Sequence, residues 1–220
     1  KVAEDILKTG VLGSPVSLNV RWLEHWGGIF GAHPWLSGPQ DSYLGDYRRG
    51  GGACGEHSHG INIFLHFAEV LGLGPVEAVS SMMDVVDEDS CCYDRVFHAS
   101  LKTRSGLVGT VSQDVVTQPA VKTIRMQGER GFMEWYAGYD SQHDAVIWGE
   151  NGKEPQTELI PKTRPKDFEG ELDEVERLLR SGASSSPISL EQGIHTMKVI
   201  AASYRSHQEG RVMNLSEITI

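Results

Sequence analysis

Cysteine is scarce: three residues in a chain of 220, two of them adjacent (Cys91 and Cys92), too few for a disulfide framework. That usage fits a reducing compartment, and the expectation is a cytoplasmic protein. Positive charge is also short. Twenty Lys and Arg face thirty Asp and Glu, a formal charge of −10. This argues against nucleic acid or an anionic membrane as partner, because both need a basic patch. No apolar run approaches the ~20 residues that cross a bilayer, and no signal-peptide pattern opens the chain. Internal repeats and long low-complexity tracts are missing too. So are a G-x-G-x-x-G after a strand, a P-loop, a C-x-x-C pair and a G-x-S-x-G elbow. Gly27, Gly28 and Gly31 follow a strand pattern, but with the wrong spacing for a dinucleotide turn and a lead into His-Pro. The chain starts at Lys1 rather than Met, so it is expected to begin inside a longer gene product.

Patterns that are present describe one domain over residues 1–220. Residues 1–10 read as a helix end, with Val2, Ile6 and Leu7 on one side and Gly10 as the stop. Pro15–Trp22 alternates Val16, Leu18, Val20 and Trp22 with Ser17, Asn19 and Arg21, a half-buried strand. Residues 24–53 show little periodicity but hold His25, Trp26, His33, Trp35, Tyr43 and Tyr47, so an irregular binding loop is expected. A helical stripe then runs through Ile61, Leu65 and Ala68, stopped by Gly72 and Gly74. Strands are expected at 76–86, 93–103, 107–116, 123–127, 132–136 and 145–148, with hairpin turns at Ser105-Gly106 and Glu129-Arg130-Gly131. The tail returns to helix, first with Leu172, Val175, Leu178 and Leu179. After a Ser-rich loop at 181–186 a second stripe carries Ile194, Met197, Val199, Ile200 and Tyr204, and 212–215 is a possible edge strand.

The fold class expected is α+β: an open, mostly antiparallel sheet of about six strands with helices on one face. Apolar pairs such as Leu107-Val108 and Val115-Val116 suggest that the second face is apolar as well. Such a face would be covered by another subunit or by further helices.

The chemistry concentrates in Arg48-Arg49-Gly50-Gly51-Gly52-Ala53-Cys54-Gly55-Glu56-His57-Ser58-His59-Gly60-Ile61-Asn62. The glycines lead toward a helix whose first turn would carry Glu56, His57, His59 and Asn62. Glu56 and His59 would then share a face, a carboxylate fixing an imidazole for proton transfer. Alternatively His57 and His59 ligate a metal with Glu56, His33 or His25. Residues two apart on a helix point about 200° apart, which disfavours that. Arg48 and Arg49 could bind a carboxylate or phosphate, Trp35 and Tyr43 could stack on a sugar ring, and His33 could bond a hydroxyl. Any of these side chains could equally be structural or solvated. Cys91 and Cys92 read as buried.

Four segments in order resemble the C-terminal domain of the glucose–fructose oxidoreductase / inositol dehydrogenase / MocA family. They are Gly10-Val11-Leu12-Gly13 before a strand, Gly50-Gly51-Gly52-Ala53 leading to His59-Gly60-Ile61-Asn62, Gln127-Gly128-Glu129-Arg130-Gly131-Phe132, and Ala202-Ser203-Tyr204-Arg205-Ser206 with Glu209-Gly210. The resemblance implies a nucleotide-binding Rossmann domain ahead of this one, with a catalytic lysine, both absent from the chain. It also implies NAD(P)-dependent oxidation or reduction of a hydroxyl on a sugar, cyclitol or related polyol, and a homo-oligomer formed through the open sheet face. His59 is then the proton-transfer residue, Glu56 stands near a supporting aspartate, and Asn62 takes the place of a substrate-contacting aspartate. The spacing from Glu56 to His59 is one residue shorter than the family's, and Asn62 cannot act as a base. Alone, the chain is expected to bind no nicotinamide with useful affinity and to be inactive. The alternatives are a non-catalytic assembly domain and a metal-dependent hydrolase using His57 and His59.

Overall fold

The computed structural model describes every residue except 89, 163–165, 183–185 and 220, and the side chains of 166 and 167 are also left aside. Alternation sets the strands: Val2–Lys8 (α1) buries Ala3, Ile6 and Leu7, and Pro15–Leu23 (β1) then buries Leu18 and Val20. Next come Gly27–Ala32 (α2), Gly52–Glu56 (α3), His59–Val70 (α4), Val76–Glu88 (β2), Cys91–Thr103 (β3) and Val108–Asp114 (β4). Val121–Gly128 (β5), Gly131–Tyr136 (β6), His143–Glu150 (β7), Gln156–Pro161 (β8), Lys166–Ser181 (α5), Leu190–Glu209 (α6) and Met213–Asn214 (β9) complete the order.

All nine strands form one open sheet in the order β8-β7-β6-β5-β1-β4-β3-β2-β9. β1 joins two antiparallel ribbons, pairing antiparallel with β5 and parallel with β4. The α+β class stands, but the expected count of about six strands is too low. β8 escapes a sequence reading because five of its six residues are exposed and no alternation marks it.

α1, α3, α4 and α6 lie on one face of the sheet, over Leu18, Val20, Phe97, Leu101, Val111, Ile124, Met126 and Met133. The other face is chiefly polar, which corrects the expectation of an apolar one. Thr110 there bonds Asn19 (2.7 Å), His98 meets Ser112 (2.9 Å) and Arg125 pairs with Glu134 (2.7 Å). Met82 and Val108 are exposed among them, and Val115-Val116 falls beyond the end of β4.

Three local expectations change. Residues 24–53 do form regular pieces, namely α2 and single 3₁₀ turns at Pro39–Asp41, Tyr43–Gly45 and Tyr47–Arg49. The apolar residues Leu172, Val175 and Leu179 of α5 stand exposed. On α6 the buried side is Thr196, Val199, Ala202, Ser203 and Ser206, while Ile194 and Met197 face out. Small side chains let α6 lie close to β2, where the Ser81 hydroxyl donates to the Ser203 carbonyl (2.5 Å) and the Ser81 amide to the Ser206 hydroxyl (3.0 Å). Part of the Ser-rich loop, 183–185, lies outside the described residues. Among the described residues no helix is long and apolar enough to cross a membrane.

Candidate active site

The helix expected after the glycines is two helices. α3 ends at Glu56, His57 caps it, and α4 starts at His59. Gln113 on β4 holds this break. Its Nε2 donates to the Ala53 carbonyl (2.7 Å), and its Oε1 accepts the Ile61 amide (3.0 Å), a donor the helix start leaves free. Gly60 lies so close to Gln113 that a Cβ there would stand 2.7 Å from Oε1. Glu56 and His59 therefore do not stack on one helix face, a correction to the expected first turn.

Cross-strand partners share a face, and Trp22 is paired with Lys122 on β5 and with Gln113 on β4. These three side chains form a row beneath the helix break. Lys122 Nζ lies 5.0 Å from the centre of the Trp22 ring and 2.5 Å from Glu24 Oε2. The other carboxylate oxygen, Glu24 Oε1, lies 3.3 Å from His57 Nδ1. A carboxylate only accepts, so Nδ1 is the ring nitrogen placed to carry a proton toward it. His57 is buried, and burial holds its pKa below the usual imidazole value although Glu24 pulls the other way. Its Nε2 and the Trp22 Nε1 are both buried without a partner among the described residues.

His59 is exposed at the first turn of α4, its ring 6.0 Å from Trp22; Trp135 of β6 lies 6.5 Å from Trp22 on the same face. Trp135 also lines a cavity of about 330 Å³ with Asn62, His66 and Asp144. Asn62 donates to the Thr196 hydroxyl (3.3 Å), and His66 bonds Glu4 (2.9 Å). Glu56 accepts from the Tyr43 hydroxyl (2.6 Å), and that bond, with burial behind it, pushes the Tyr43 phenol up to about 12. Both Glu56 and His59 act electrostatically on His57, so the cluster around the break is one neighbourhood.

The remaining candidates lie apart from these contacts. His33 meets the Ile29 carbonyl (2.7 Å) and the edge of Trp35, which is 72% exposed. Arg48 lies over Tyr47 (5.3 Å), and Arg49 is exposed. His57 and His59 face different surroundings. Among the described residues no three imidazole, carboxylate or thiol groups converge as a metal site requires. A larger cavity, about 590 Å³ between β2, β9 and α6, contains none of the sequence candidates.

Glu24, Lys122, Trp22 and Trp135 are absent from the sequence candidates. Trp22 is visible only as the last apolar residue of a strand. The tie between Glu24 and Lys122 exists only through the β1–β5 register. Asp94, fully buried beneath the glycines, is also missed. It accepts from the Tyr204 hydroxyl (2.5 Å) and the Cys54 amide (2.7 Å).

A family model described as the GFO/IDH/MocA C-terminal domain matches residues 1–153. Among solved structures the chain is similar to the aldose–aldose oxidoreductase from Caulobacter crescentus complexed with glycerol, at 20% identity and TM-score 0.73, covering 96% of this chain and 59% of that one. It is similar also to levoglucosan dehydrogenase in complex with NADH and levoglucosan (15% identity, TM-score 0.76, 98% and 63% covered). A third is an oxidoreductase from Agrobacterium radiobacter in complex with NAD+, L-tartaric acid and magnesium (17% identity, TM-score 0.72, 99% and 62% covered). At these identities the likeness is one of fold. The chain spans about three fifths of the length of these structures. No curated protein sequence matches it.

Proposed function

The chain belongs to the GFO/IDH/MocA oxidoreductase family, in the part described as its C-terminal domain, and from that premise we propose that it is the substrate-binding part of an NAD(P)-dependent dehydrogenase. The substrate is a sugar, cyclitol or related polyol. One observation carries the reading: an exposed imidazole, His59, opens a helix beside two tryptophan rings on the core face of an open sheet.

The described residues contain no strand, glycine turn and helix joined in a parallel unit that could cradle a pyrophosphate. Their one parallel strand pair is β1 with β4, and α2, the helix after β1, is six residues long. NAD or NADP is therefore held mainly by chain outside these residues, as in a preceding Rossmann domain, and this part alone is inactive. A bound nicotinamide would supply the hydride donor or acceptor for the substrate carbon. This chain supplies the remaining work. An imidazole nitrogen of His59 exchanges the hydroxyl proton, a general-base role that imidazole commonly fills. Glu56, fixed by the Tyr43 hydroxyl, is the acidic neighbour. Trp22 and Trp135 offer flat apolar faces to the C–H side of a polyol ring, and Asn62 can bond one of its hydroxyls. His33, Trp35, Arg48 and Arg49 are left to the outer wall. The protein works in a reducing cytoplasm, with Cys54, Cys91 and Cys92 as free thiols. It assembles through the open sheet face.

In the intact protein, His59→Ala is expected to lower kcat about 10²- to 10⁴-fold, the usual contribution of a general base, with a smaller change in KM. Steady-state kinetics with an accepted polyol measure this, and an unchanged kcat would remove His59 from the reaction. The non-catalytic assembly reading predicts that unchanged kcat.

A further inference from the structure

We propose that Glu24 and Lys122, laid against Trp22 and held from behind by His57, form a subsite for uncharged hydroxyl groups, so that the site takes neutral polyols in preference to aldonates, uronates or sugar phosphates. The proposal rests on the dehydrogenase reading only for where the substrate lies; its own argument is local.

The pair is partly open: the side chains of Glu24 and Lys122 keep 29% and 24% of their exposure. It stands where β1 ends and β5 begins, next to the ring that touches His59. An ammonium at 2.5 Å from one carboxylate oxygen uses one of its three donors and leaves two. Each carboxylate oxygen likewise keeps acceptor capacity. A hydroxyl is complementary to both, since it donates to Glu24 and accepts from Lys122, and two neighbouring hydroxyls can engage the pair together. Trp22 below supplies the apolar surface for the C–H groups between them.

Charge decides against anions. Among the described residues the one ammonium or guanidinium in contact with Glu24 is Lys122, and Glu24 already neutralises it. A substrate carboxylate or phosphate would meet an ammonium already paired with a carboxylate, in a protein of formal charge −10. Like charges at contact range in a medium of low effective dielectric repel, which disfavours the anion. Arg48 and Arg49, the guanidinium groups that could reverse this balance, make no contact with the pair.

His57 is a positioning residue here. Its Nδ1 lies 3.3 Å from Glu24 Oε1, and the opposite nitrogen has no hydrogen-bond partner among the described residues.

Binding to the intact protein, followed by fluorescence of its tryptophans with glucitol, inositol, gluconate and glucose 6-phosphate as probes, tests this directly. Glucitol or inositol is expected to bind about tenfold or more tighter than gluconate or glucose 6-phosphate, a gap of about 1.4 kcal/mol or more. Lys122→Met should weaken the neutral probes about tenfold. Glu24→Gln should close most of the gap between glucitol and gluconate. His57→Phe should weaken the neutral probes, and His57→Gln, whose amide still donates to Glu24, should restore them. Tighter binding of gluconate by the unaltered protein, no binding of either neutral probe, or full binding by Lys122→Met would each overturn the proposal. Hydride transfer plays no part in this readout. A protein that binds glucitol but reduces no nicotinamide would keep the subsite and lose the dehydrogenase reading.

Discussion

Asp94 is a carboxyl with no exposed surface, placed under the left-handed turn at Gly52 (φ +80°), where any Cβ would collide with its oxygen. Burial raises it to about 6, against the pull of the Tyr204 hydroxyl and the Cys54 amide, which favour the charged form. The unfolded chain returns this group to about 3.8. Between those values the folded state holds more proton than the unfolded one. Asp94 therefore adds stability as pH falls through that window and withdraws it as pH rises toward 6. Tyr204→Phe deletes the hydroxyl donor and should cost about 1–3 kcal/mol at pH 7, where the carboxylate needs it most. The loss should be smaller near pH 5, with the acid protonated; urea denaturation at both values measures it, and an equal loss would contradict the assignment. The triple glycine drew attention to this neighbourhood in the sequence. The reason for it did not show there, because Asp94 sits on a distant strand and looks like any other charged residue in an acidic chain.

At the scale of elements, the interrupted helix matters more than either of its halves. His59 opens the second half, exposed above Trp22, and Gln113 supplies both hydrogen bonds that make the break tolerable. Gln113→Leu would leave the Ile61 amide and the Ala53 carbonyl buried and unpaired, a loss of about 3 kcal/mol. Amide exchange at Ile61 should quicken in step, and protection there as strong as in the parent would count against this role. Helix stripes and strand alternation were legible because burial imposes a period on them. The break was not, since it depends on a glutamine reached across the sheet. The outward apolar rows of α5 and α6 misled for the opposite reason: their helical period is real, but it does not say which side meets the core.

For the whole molecule, the uncovered sheet face is a broad surface of hydroxyls, amides and ion pairs, with Met82 and Val108 among them. Assembly through it would give a wet, polar interface of the kind that tolerates bridging waters. Light scattering of the intact protein should report a dimer or a larger species; a clean monomer would contradict it. The other molecular feature is the single strand that stitches the two ribbons together. Every flanking hairpin can lengthen or shorten without disturbing the centre, but β1 has no such latitude. Shifting its frame by one residue would swing Trp22 through to the far side of the sheet and part the indole from Lys122. The outer ribbons are thus where this scaffold can drift or be grafted, and its middle stitch is where any change around Trp22 and Lys122 would have to be made one side chain at a time.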